Sequence, residues 1–72
     1  MTDQERWHLV QADRHIAECQ RQIARQKELI RQIAQRDQST LWAEDMLDAL
    51  QASLRAFENH RAFIVAQMDA ER

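Results

Sequence analysis

Along the first half of the chain, Leu9, Ala12, Ile16, Cys19, Ile23, Gln26, Ile30 and Ile33 alternate by three and four residues, with Gln26 the one polar interruption. This spacing lines one stripe of a helix, the a and d positions of a heptad. A second seam follows at Ala43, Leu47, Leu50, Leu54, Phe57, Arg61, Ile64 and Met68, with Arg61 the exception. The seams are out of phase by three residues. Carried onward, the first register would bury Asp37, Glu44, Gln51 and Glu58. The pattern therefore argues against one uninterrupted coiled coil and predicts two helices.

Local signals mark where they begin and part. Thr2 and Glu5 form a T-x-x-E capping box, in which each side chain can satisfy a free N–H of the first turn. The break falls in "QRDQSTLW", where Asp37, Ser39 and Thr40 are N-cap types and Glu44 and Asp45 suit the positive end of a following helix. No Gly is present to end the first helix in a left-handed conformation, but Asp adopts that conformation at moderate cost. The expectation is an all-α, single-domain, antiparallel two-helix hairpin over residues 1–72, coiled-coil-like. Helix 1 covers about 3–36, the connection about 37–40 and helix 2 about 41–70. Each helix would be ~45–50 Å long. Folding about residues 38 and 39 sets Ile30 against Leu47, Ile23 against Leu54, Cys19 against Phe57 and Leu9 against Met68.

Apolar residues remain after the seam is closed. Trp42, Met46, Ala49, Ala56 and Phe63 form a row along one flank of helix 2. Val10, Ala17 and Ala24 form a small-residue strip beside helix 1's seam, widened by Leu29 and Ala34. Two helices cannot cover faces this wide, and an exposed stripe of this kind marks an interaction surface. A homodimer, two hairpins forming a four-helix bundle, is the expected way of burying both rows. A helix from another protein is the competing partner, with Trp42 and Phe63 as anchors. Gln26 and Arg61 are candidates for setting the register of the seam; the alternative is that both reach out to water.

Composition agrees with helices throughout. The chain has no Gly and no Pro, which excludes phosphate-gripping Gly-rich loops and tight β-hairpin turns. With 72 residues, it buries only about 60% of its unfolded surface, so its own core is marginal. "MTDQERWH" carries no apolar signal-peptide core. No apolar run approaches the roughly 20 residues that span a membrane. Cys19 is the single cysteine, so no intrachain disulfide forms and a cytoplasmic location is expected. The net charge of −2 is unevenly placed. Residues 14–36 carry six Arg and Lys against Glu18 and Glu28, while residues 37–72 carry seven acids against Arg55, Arg61 and Arg72.

Sharper chemistry is thinly supported. His15 and Cys19 lie four apart, and His60 comes near them in a hairpin, making a three-residue metal candidate. Neither C-x-x-C nor H-E-x-x-H spacing accompanies it, and a buried seam cysteine is ordinarily a small hydrophobe. No cofactor is expected. His8 and His15 share a flank, and histidine titrates near neutrality. Arg14, Arg21, Arg25, Lys27, Arg31 and Arg36 offer an alternative role in nucleic-acid binding through the basic face of helix 1. Glu18 and Glu28 interrupt that face, and a pI near 5.8 opposes a strong field. Membrane-surface binding would compete with the hairpin for the same apolar face. Ser39 and Thr40 read as caps, Ser53 stands alone, and Asp45 and Asp48 lie on a solvated face, so no enzyme is expected.

The stretches "DRHIAECQRQIARQKELI", "MLDALQASL" and "HRAFI" resemble small helical-hairpin proteins of rhizobia and related α-proteobacteria. The likeness runs from about Ala12 to Ile64. It rests on Arg14-His15-Ile16-Ala17-Glu18, Ile23-Ala24, Leu29-Ile30, Thr40, Leu54 and His60-Arg61. That group usually has Gly at the place of Cys19, which weakens a metal role there, and often Gly in the connection. The resemblance implies a bacterial, cytoplasmic helical hairpin and assigns no activity. The expected function is a non-enzymatic structural, adaptor or regulatory module acting through helix–helix packing.

Overall fold

The computed structural model describes residues 2–70, with two helices and no strand among them. Helix α1 spans Asp3–Gln35 and helix α2 spans Leu41–Ala70. They lie antiparallel in a rod 56 Å long and 14 by 12 Å across. The hairpin read from the two seams is the fold that forms, with α1 ending at Gln35, one residue before the expected boundary.

The helix ends follow from their side chains. Thr2 is extended, and its hydroxyl oxygen accepts the Glu5 N–H at 3.2 Å, which satisfies a first-turn donor. At the other end of α1, the Gln38 N–H donates to the Ile33 carbonyl at 3.3 Å and the Asp37 N–H to the Ala34 carbonyl at 3.1 Å. These are the two bonds of a Schellman motif. Asp37 sits at its left-handed position with φ 56°, where Gly would carry no steric penalty. Asp37→Gly is therefore expected to stabilise the hairpin by about 1 kcal/mol, raising the melting temperature by roughly 4–8 °C. Asp37→Val should lower it. Thermal unfolding followed by circular dichroism checks both, and a fall on Asp37→Gly would mean the Asp side chain holds the turn.

Two more residues start α2. The Ser39 hydroxyl accepts the Leu41 N–H at 3.4 Å, and the Thr40 carbonyl accepts the Glu44 N–H at 2.8 Å. The Thr40 hydroxyl also donates to the Glu44 carboxylate at 3.1 Å. Of the three N-cap types in the break, Thr40 and Ser39 serve α2, and Asp37 closes α1 instead.

Every seam position on both helices is buried or half-buried. Ala12, Cys19 and Ile23 of α1 and Ala43, Ile64 and Met68 of α2 are the fully buried ones. Ala12, Ile64 and Met68 form one cluster with Leu9 packed against it, which joins the start of α1 to the end of α2.

Nearer the connection, two side chains bond carbonyls of α2 one heptad closer to the connection than the residues expected opposite them, although Cys19 still lines a depression with Phe57. The Cys19 thiol donates to the Leu50 carbonyl at 3.3 Å, a heptad closer to the connection than Phe57. The Gln26 amide donates to the Ala43 carbonyl at 2.9 Å. The Gln26 side chain thus reaches the first turn of α2, and Ile30 and Ile33 at the far end of α1 stay half-buried.

Candidate interaction surface

The two polar seam residues both bond across the hairpin. Gln26 reaches the Ala43 backbone, and the Arg61 guanidinium pairs with Asp13 of α1. Ala43 is completely inaccessible, so the Gln26 amide lies over a point of close helix approach. Neither side chain simply extends into water. Their bonds tie the helices at two levels, Gln26 near the connection and Arg61 toward the open end.

These contacts also distinguish the two faces of the hairpin. On one face, the His15 ring packs on Phe57 at 5.3 Å between centroids, tilted by 42°. His8, Gln11, Ala12, His15 and His60 line a shared open depression there. Three residues after His60 comes Phe63 and four before it Ala56, so on a helix both lie on the flank that carries His60. Trp42 and Ala49 continue that row at heptad spacing, and Met46 shares the row of His60. The opposite face carries the Asp13–Arg61 pair. Val10 and Ala17, three before and four after Asp13, lie on that side of α1, and Ala24 continues the row.

The rows expected to be buried together thus sit on opposite faces. A single two-fold interface covers one of them, not both. Their physical character differs as well. Trp42 is 61% exposed, Phe63 59% and Met46 48%, and Ala49 and Ala56 are also exposed. On the other side, Val10 and Ala24 are exposed and Ala17 is half-buried, a shallower strip with one residue larger than Ala. Periodicity did not single out Trp7 and Leu41, which are also exposed. Trp7 lies opposite the α1 seam and Leu41 at the first position of α2, where a heptad count has no reason to look.

The remaining candidates are placed as follows. Cys19 is buried with its thiol on the Leu50 carbonyl, while His15 and His60 are exposed on the flank. Among the described residues, no three of His, Cys, Asp and Glu are arranged to hold a metal ion. On the basic face, Arg31 bonds Glu28 through Nε at 2.9 Å and again through Nη2. That hydrogen bond, chiefly, holds the Glu28 carboxyl below its usual range. Part of the basic strip is therefore neutralised within α1. No helix among the described residues is long and apolar enough to cross a membrane. Compared with known proteins, the chain matches no family model, no curated protein and no solved structure.

Proposed function

We propose that the protein is a non-enzymatic helix–helix interaction module whose working surface is the row Trp42, Met46, Ala49, Ala56 and Phe63, and whose partner is a second copy of the chain. One observation carries this reading: the hairpin closes its own seam and still leaves Trp42, Met46 and Phe63 exposed along one flank. An indole and a phenyl in water on a chain with so narrow a core are a standing drive to associate. Pairing two hairpins into a four-helix bundle removes them from water and thickens the core that each copy lacks. The outer faces of such a bundle remain charged and available for a structural, adaptor or regulatory contact. A bacterial cytoplasm, and kinship with the rhizobial hairpin group, belong to this reading; the unpaired cysteine suits the former.

The test is solution mass by size exclusion with light scattering across a dilution series. The expected result is twice the 8.6 kDa chain mass, falling toward the monomer only at high dilution. A folded monomer at every concentration overturns self-association.

A further inference from the structure

The row on α2 has a size order that reads the same in both directions. At heptad spacing it runs Trp42, Ala49, Ala56, Phe63: large, small, small, large. Its midpoint falls between Ala52 and Ser53. On α1, the outer row of the same face carries Glu18 and Arg25, again a heptad apart, with a midpoint between Arg21 and Gln22. The hairpin brings these two midpoints into the same middle stretch of the rod. Cys19 bonds the Leu50 carbonyl, and Glu18, Cys19 and Gln22 line one depression with Phe57. Residues 19–22 thus lie alongside residues 50–57.

We propose that two copies pair face to face about a single two-fold axis crossing both midpoints, with α2 antiparallel to α2, α1 antiparallel to α1, and the connections at opposite ends. This rests on the self-association read above and adds its geometry. The axis sets Trp42 of each copy level with Phe63 of the other. Ala49 and Ala56 meet in the middle, where small side chains let the helix backbones approach. The same rotation sets Glu18 against Arg25 of the second copy, and Arg25 against Glu18.

Charge complementarity supports this arrangement: the rotation makes two Glu18–Arg25 attractions between the copies. A two-fold axis running along the helices would instead lay α2 of one copy over α1 of the other and form neither pair. Area is adequate too. From Trp42 to Phe63 the face is about 32 Å long and two helices, roughly 20 Å, wide. That is on the order of 640 Å² per copy before side-chain relief is counted, close to the ~800 Å² per partner of a standard stable interface.

The experiment is a spin-label distance. Gln67 is exposed on the same face, near the end of α2. In a Cys19→Ala, Gln67→Cys chain, the proposed axis separates the two labelled backbones by about 43 Å. A distance below about 20 Å means the chains run in the same direction and overturns the proposal while leaving self-association standing. A monomer by mass fails the underlying reading instead. A second measurement keeps the native cysteine: Glu18→Arg should raise the dimer dissociation constant about tenfold through its two symmetry-related pairs, and adding Arg25→Glu should restore it. Failure of the double reversal to restore affinity overturns the pairing.

Discussion

Met46→Glu combined with Phe63→Glu is expected to convert the proposed dimer into a monomer that keeps most of its helix signal. Both side chains are exposed in the single hairpin, so carboxylates there face water and disturb no intrachain packing. In the dimer they would be four charges inserted into the apolar contact, where an unpaired ionised group carries a heavy desolvation cost. Truncation of an interface anchor alone costs about 2 kcal/mol or more. Two per copy amount to at least a thousandfold loss of affinity on the order-of-magnitude scale. Light scattering at matched concentration reads the mass, and circular dichroism reads the helix. An unchanged dimer mass removes this row from the interface. A monomeric mass with collapse of the helix signal would mean that the hairpin needs its partner to fold at all.

Ile64→Ala acts on the other layer of the structure, the intrachain seam. Ile64 is 7% exposed and joins Ala12 and Met68 in the buried cluster, with Leu9 against it. Ala12 opposite has no side chain able to fill the space left behind. Such a deletion costs about 2–5 kcal/mol through lost transfer energy and an unfilled cavity. A small domain has total stability of the same order, so the melting temperature should drop by about 10 °C or more. Ala66→Ser, exposed two residues away, is the control and should shift melting little. Equal effects from the two substitutions would show that the cluster is not the source of stability.

The two substitutions separate what each apolar stripe does, and the chain encodes the stripes differently. The seam stripes recur by three and four, so each residue reports its own side of a helix without knowledge of anything distant. That is why the two seams, their phase shift and the break in "QRDQSTLW" could be read directly from the chain. The helix ends were legible for the same reason. Thr2 binds the Glu5 N–H, Thr40 opens α2, and Asp37 accepts the left-handed position that no Gly was there to take. Each of these is a contact between residues within five positions of one another.

Three things were not legible. The vertical offset between the helices is not fixed by the seams alone: Cys19 bonds the Leu50 carbonyl while also lining a depression with Phe57. The offset depends on the path of residues 38–40 and on side-chain bonds to a distant backbone, and hydrophobic spacing is blind to both. The fates of Gln26 and Arg61 were open between register contacts and water, because their partners, the Ala43 carbonyl and the Asp13 carboxylate, lie 17 and 48 residues away. The positions of the two extra rows on opposite faces needed the handedness of the hairpin, which shows in His15 against Phe57 on one side and Asp13 against Arg61 on the other.

By itself, then, the order of residues determined two helices, their caps, their break and the stripe each turns inward, all through short-range periodicity and local hydrogen bonding. The tertiary structure decided how far one helix slides along the other and which surplus apolar residues share a face, because those depend on closing a connection between groups far apart in the chain.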